Sequence, residues 1–266
     1  MPTSNVEVLP VDDALNRFHD RYAGASAEVF GRGLLADGRT SYDWLVEGAT
    51  RGPVLDVGCG DGPLLARLDV PAVGLDRNEA ELAAARERNL DHVDLVRGDV
   101  RDLPFASGRF ERILSHMVLM LVPDVERVTA ELDRVLAPGG TLRFVTSRRP
   151  DTRPPAMTAY LDGLNALTRT HGPAIDYPQS RWSRAALAER LPGWHLTSVP
   201  LELTLPVPVD EAGRFLRLMY YTSGLLADDG QEALDALIQS VVERHATEGV
   251  LTWTVAMRGV TARKPF

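Results

Sequence analysis

Residues 54–62 read VLDVGCGDG, an apolar run that reaches Asp56 and turns at once into Gly58, Gly60 and Gly62. This is the pattern of a strand feeding a loop sized for a phosphate or a cofactor. Glycines let the backbone turn tightly and admit a ligand where a Cβ would stand, and a helix expected over about 62–68 offers its free N–H groups. Alone, an ordinary left-handed turn has the same composition. Twenty residues after Asp56, Asp76 closes the run Ala72-Val73-Gly74-Leu75. It is placed to accept both hydroxyls of a ribose, which taken singly suits a nicotinamide dehydrogenase equally well. Asp99 follows Leu95-Val96-Arg97-Gly98, where a carboxylate can accept from an adenine amino group. Singly, Asp76 and Asp99 also fit helix caps or turns; their joint order and spacing argues for a ligand site.

The elements that must carry these residues alternate. Strands are expected near 53–57, 72–76, 93–97, 110–115 and 140–146, with helices near 62–68, 78–89 and 124–137. Asn78 and Glu81 open the second helix, and Asp124 caps the third, whose Val125, Val128, Leu132 and Val135 recur at helical spacing. Such alternation marks a parallel sheet covered on both faces. Before it, the first fifty residues read as three short helical segments, with Ala14, Leu15, Phe18 and Tyr22 on one stripe. After it the rhythm changes: a proline-rich connector at 147–155, helices near 156–169 and 183–191, a strand over 194–207, helices near 209–227 and 229–248, and a last strand over 250–262. Leu234, Leu237, Ile238, Val241 and Val242 make the helix near 229–248 clearly amphipathic.

Motif I at 54–62, an acid after the second strand, Gly98-Asp99 after the third and Leu136-Ala137-Pro138-Gly139-Gly140 before the fifth together resemble the class I, Rossmann-like S-adenosylmethionine (SAM)-dependent methyltransferases. The resemblance covers about 50–146. It implies an α/β fold, a doubly wound, seven-stranded, mostly parallel sheet in the order 3-2-1-4-5-7-6 with helical cap insertions. The division that follows is a helical lid over 1–50, a SAM-binding core over 51–147, cap insertions over 148–193 and 207–249, and closing strands over 194–206 and 250–266. It also implies SAM as cofactor, with Tyr22, Asp56, Gly58, Gly60, Asp76, Arg77, Asp99, Val100 and His116 as cofactor residues. Tyr22 comes from a segment, FHDRYAG, that resembles the family's lid, although Phe18 and Tyr22 four apart also make a plain packed pair.

Ligands bind at the carboxyl ends of strands in such sheets. His116 ends the fourth strand, and an imidazole titrating near neutrality would suit removal of a proton from the acceptor; the alternative is a packing residue. Tyr177 is the second catalytic candidate, for cation–π contact with a sulfonium. Arg148, Tyr160, Tyr177, Arg181 and Tyr221 are candidate substrate residues, the arginines for an anionic group, with solvated arginines as the alternative. The six histidines do not pair at ligand spacing, so no metal site is expected. Cys59, the single cysteine, reads as a small side chain tolerated in the loop.

A chain of 266 residues with 44% hydrophobic content can bury a full core. A formal charge of −8 argues against a nucleic-acid partner, and neither a membrane-length apolar run nor a secretory leader is apparent, so a cytoplasmic location is expected. The expected activity is methyl transfer to oxygen or nitrogen of a small molecule. Two rivals share the fold: an enzyme that consumes SAM without methylation, as azetidine-2-carboxylate synthases do by intramolecular cyclisation with release of methylthioadenosine, and a non-catalytic SAM-binding protein. The acceptor and the choice between monomer and homodimer are not legible.

Overall fold

The computed structural model describes residues 8–49, 52–150, 153–172, 174–175, 182 and 184–266. In chain order the elements are β1 (Val8–Leu9), α1 (Val11–Arg21), α2 (Ala25–Phe30), α3 (Ser41–Val46), β2 (Val54–Val57), β3 (Ala72–Asp76), α4 (Glu79–Arg86), β4 (Val93–Arg97), β5 (Phe110–His116), α5 (Val125–Val135), β6 (Leu136–Ser147), α6 (Pro155–His171), β7 (Ala174–Ile175), α7 (Arg184–Arg190), β8 (His195–Pro208), α8 (Val209–Met219), α9 (Asp228–His245) and β9 (Val250–Arg263). Seven strands form one sheet in the order β4-β3-β2-β5-β6-β9-β8, which in the sheet's own count is 3-2-1-4-5-7-6. Pairings β3–β4, β2–β3, β2–β5 and β5–β6 are parallel, and β6–β9 is antiparallel. A separate parallel pair, β1 with β7, was not foreseen from the sequence.

The chain divides into two compact units: Met1–Gly33, Pro150–Tyr177 and Thr204–Val255 in one; Leu34–Arg149, Pro178–Leu203 and Ala256–Phe266 in the other. The second unit holds the alternating elements. One face of its sheet, with Leu55 and Val57 of β2, Val73 and Leu75 of β3 and Ile113 of β5, shares one core with Val128, Leu132 and Val135 of α5, and Val54, Ala72 and Leu114, which alternate with those residues along the strands, are buried as well. That is the pattern a parallel sheet covered by helices requires. The division differs from the one read off the sequence. Residues 178–193, expected in a cap, fall in this unit, where Trp182 meets Phe144 edge-on at 5.8 Å and Leu187 and Leu191 enter the core.

A further difference concerns the segment after the glycine loop, which forms only a 3-10 turn at Leu65–Arg67 rather than an α-helix. One i→i−4 bond, Ala66 N–H to Gly62 O, is followed by i→i−3 bonds from Arg67 and Leu68, and Leu68 is already extended. Too few residues separate Gly62 from β3 for a longer helix to nucleate.

In the first unit α6 and α9 pack together. Gly163 of α6 admits Leu237, whose side chain would stand 2.4 Å from a Cβ built there. Leu234, Ile238 and Val241 are the buried stripe of α9, as the amphipathic pattern implies. Arg214 of α8 grips Glu28 of α2 through two hydrogen bonds of 2.6 and 2.8 Å. The helix expected to 227 stops at Met219 and continues as a 3-10 turn, Tyr221–Leu225. Among the described residues no helix is long and apolar enough to cross a membrane.

Candidate functional site

The carboxyl ends of β2 and β3 enclose the glycine loop. Gly58, Gly60 and Gly62 all have positive φ, at 70°, 53° and 82°. Glycine is required at Gly58 for a second reason, because a Cβ there would lie 2.5 Å from Val118. Gly58 and Cys59 both donate to the Leu75 carbonyl, at 2.7 and 3.1 Å, and Gly62 donates to that of Cys59. Asp76 completes the frame: one carboxylate oxygen accepts from Gly60 N–H and the other from Asn78 N–H, each at 2.9 Å. The same acid therefore fixes the loop and the start of α4, where Asn78 Oδ1 caps Glu81 N–H at 3.0 Å. On the far side Arg88 binds both the carbonyl and the carboxylate of Asp61.

Asp56 is 2% exposed. Burial, reinforced by the charge of Asp76, raises its pKa from 3.8 to about 8. The α-ammonium of an amino-acid moiety would offset the ionised form of this buried carboxylate, so the residues present suit SAM. Cys59, 3% exposed in the same loop, has its thiol pushed up by burial and by the charges of Asp56 and Asp76.

Asp99 follows β4 as expected, with its carboxylate held by Arg101: N–H and Nε reach Oδ1 at 2.8 and 2.9 Å, and Nη2 reaches Oδ2 at 2.6 Å. These hydrogen bonds hold Asp99 below the usual carboxylate range. Val100 beside it is buried, and the Arg77 carbonyl accepts from Arg97 Nε at 3.2 Å.

His116 is where its role changes. Its Nε2 lies 2.9 Å from Ser41 Oγ, and its ring stacks on Tyr42 with centroids 4.2 Å apart. Burial, then the charge of Arg67, brings its pKa down from 6.5 to about 3. The expectation of an imidazole titrating near neutrality is therefore corrected: His116 is a neutral hydrogen-bonding residue at the end of β5. Ser41 and Tyr42 come from α3, which is held firmly. Thr40 and Asp43 form a reciprocal capping box at its start, and Arg67 Nε binds Asp43 at 3.0 Å. At its other end Arg112 and Arg143 donate to the carbonyls of Glu47 and Gly48. Sequence reasoning missed Ser41, Tyr42, Arg67 and Val118 and read Glu81 only as part of a helix start. Thr40-Ser41-Tyr42-Asp43 was a legible cap signal, but nothing local tied it to His116.

Arg148, at the end of β6, is half-buried; its N–H bonds the Ala256 carbonyl at 2.9 Å and its Nη1 the Arg149 carbonyl at 3.3 Å. Tyr22 and Tyr160 belong to the first unit. Tyr22 ends α1 with its ring 5.3 Å from that of Phe18. Tyr160 is fully buried, its hydroxyl donating to the Leu216 carbonyl at 2.7 Å and its ring edge-on to Trp253 at 5.9 Å. The expectation that Tyr160 lines a substrate chamber is corrected by this complete burial, which makes it a core residue of its unit. Tyr177 and Arg181 lie outside the described residues, as does the side chain of Tyr221.

Residues 55–144 match a protein family described as "Methyltransferase domain". The chain is similar to phthiotriol/phenolphthiotriol dimycocerosates methyltransferase 1 of Mycobacterium ulcerans (strain Agy99), with 41% identity over 103 residues, 36% of this chain and 38% of the relative. It spans less than half the length of the first curated relatives it matches, 38%, 45% and 37%. Among solved structures, the [4+2]-cyclase SpnF aligns over 98% of this chain and 99% of its own, with a TM-score of 0.56 and 21% identity. Phosphoethanolamine N-methyltransferase 2 of Haemonchus contortus, solved with S-adenosyl-L-methionine, aligns over all of this chain and 62% of its own, with a TM-score of 0.57 and 16% identity. At such identities the structures speak for the fold alone.

Proposed function

Because residues 55–144 match a family described as a methyltransferase domain, we propose that this chain is a class I SAM-dependent methyltransferase and transfers a methyl group from SAM to an oxygen or nitrogen of a small-molecule acceptor. The observation that carries the reading is the glycine loop set between buried Asp56 and Asp76, with Asp76 straddling the N–H groups of Gly60 and Asn78. Asp76 retains lone pairs for a ribose diol, Asp99 with Val100 offers an adenine subsite steadied by Arg101, and Asp56, Gly58 and Gly60 receive the methionine end. SAM supplies, when bound, a methyl group already activated by the sulfonium. What remains for the protein is alignment and exclusion of water, a proximity effect that can reach roughly 7 to 11 kcal/mol. His116 contributes position rather than basicity, since burial keeps it neutral. Arg148 stays a candidate for an anionic group on the acceptor.

The acidic balance of the chain favours a small molecule over nucleic acid. The alignment with SpnF over nearly the whole chain keeps a non-methylating reaction of the same fold as the second reading. Incubation of the purified protein with SAM alone, followed by mass spectrometry, separates the two. Methyl transfer leaves SAM nearly intact until an acceptor is added and S-adenosylhomocysteine (SAH) forms. Release of methylthioadenosine above an enzyme-free control would replace the first reading by intramolecular cyclisation.

A further inference from the structure

The peptide between Gly60 and Gly62 is gripped by a residue from outside the loop. Arg88, two residues beyond the end of α4, donates from Nε to the Asp61 carbonyl and from Nη2 to the Asp61 carboxylate, a reach across 27 residues of chain. Asp61 is buried and Arg88 partly so. Gly62, at a φ of 82°, makes room for the arginine stem: a Cβ built there would stand 3.4 Å from Arg88 Cδ and 3.6 Å from the Ala85 Cβ. The other ties on the loop come from β3, where the Leu75 carbonyl accepts from Gly58 and Cys59 and the Asp76 carboxylate from Gly60.

Three glycines at positive φ within five residues make this segment costly in backbone entropy to order. The β3 ties fix its first three residues, and the Arg88 fork fixes the fourth. Because one planar guanidinium takes both the main-chain and the side-chain oxygen of Asp61, it sets the orientation of the Asp61–Gly62 peptide as well as the side chain. Resting on the SAM reading of the loop, we propose that Arg88 is a positioning residue for the cofactor. Acting through Asp61, it holds Gly58–Gly62 in the form that receives the methionine end, so that binding need not order the loop. A lysine keeps the charge but offers no rigid fork, and serves this purpose only in part.

Amide hydrogen exchange read by mass spectrometry, together with calorimetric titration with SAH, tests this on the wild-type chain, Arg88→Ala and Arg88→Lys. In Arg88→Ala the peptide spanning 54–64 exchanges about tenfold faster and SAH affinity falls about three- to tenfold, while peptides of β5 and β6 keep their wild-type rates. Saturating SAH restores slow exchange in the loop, and Arg88→Lys lies between wild type and Arg88→Ala in both readings. Unchanged exchange of the loop, faster exchange spread equally over β5 and β6, or unchanged SAH affinity overturns the proposal. Should Arg88→Ala fail to fold, the same comparison on Arg88→Lys decides. Failure of wild type to bind SAH defeats the cofactor reading beneath the proposal; equally tight binding by wild type and both variants defeats the role of Arg88 alone.

Discussion

Lowering the pH from about 7 to about 6 is expected to weaken SAM binding about ninefold, because the Asp56 carboxyl must lose a proton before it can face an ammonium. In the free protein burial and the charge of Asp76 raise its pKa from 3.8 to about 8. With the ligand in place the ionised form is favoured, so each molecule bound near pH 7 releases about 0.9 of a proton, and the binding constant carries the factor 1/(1 + 10^(8 − pH)). From about pH 6 to about pH 7 that factor rises from about 1/101 to about 1/11. Above this range the ligand's own α-amino group, titrating at about 7.7 to 8.0, erodes the gain. The same shift has a sign for folding. An acid whose folded pKa lies above its unfolded value keeps its proton longer in the native state, so the free protein loses stability as the pH climbs from about 4 to about 8, and the cost is absent below that window. Asp56→Asn, which cannot ionise, should therefore stabilise the free protein near pH 8, leave it unchanged near pH 4, and abolish the pH slope of binding. Titration in two buffers of different ionisation enthalpy reads the released proton directly. Constant affinity across the interval with no proton released, or an Asp56→Asn variant that keeps the slope, would refute the assignment.

Three further outcomes follow from the same geometry. Asp76→Ala removes an acceptor from the ribose and from the Gly60 and Asn78 amides; with charged hydrogen bonds worth about 1.5 to 3 kcal/mol, SAM affinity measured by calorimetry should fall about ten- to a hundredfold. Gly58→Ala forces a Cβ to 2.5 Å from Val118 at a φ of 70°, so thermal unfolding should show a loss of about 1 to 3 kcal/mol, of which Val118→Ala in the same chain restores the steric share. Tyr160→Phe leaves the buried Leu216 carbonyl without its donor and should cost about 1 kcal/mol in denaturant unfolding, with SAM affinity unchanged.

The glycine loop and the strands around it were legible because their signals are local and periodic: glycines two apart after an apolar run, and acids that close successive strands. Strand limits at 72–76 and 93–97 agree with β3 and β4 residue for residue. What was not legible depends on pairs far apart in the chain. Ser41 and His116 are 75 residues apart, and only the packing of α3 against β5 brings them together; the histidine's loss of basicity follows from that burial, which no sequence window contains. Trp182 looked like a cap residue because a tryptophan between proline-rich segments has no period to place it, yet it enters the core beside Phe144. Tyr160 was chosen as an aromatic in an expected cap, and its stripe partners in the first unit bury it instead.

Cys59 gives the molecule a reporter of its own. It is the single thiol in 266 residues, it lies within the loop expected to hold the cofactor, and in the closed loop it is both covered and protonated. An alkylating reagent can reach it only when that loop opens, so the labelling rate measures the free energy of a local opening event rather than of global unfolding. A ligand that closes over Gly58 and Gly60 should slow the labelling in proportion to its occupancy. Cofactor affinity can then be followed by mass shift on the unmodified chain, with no engineered probe and no turnover.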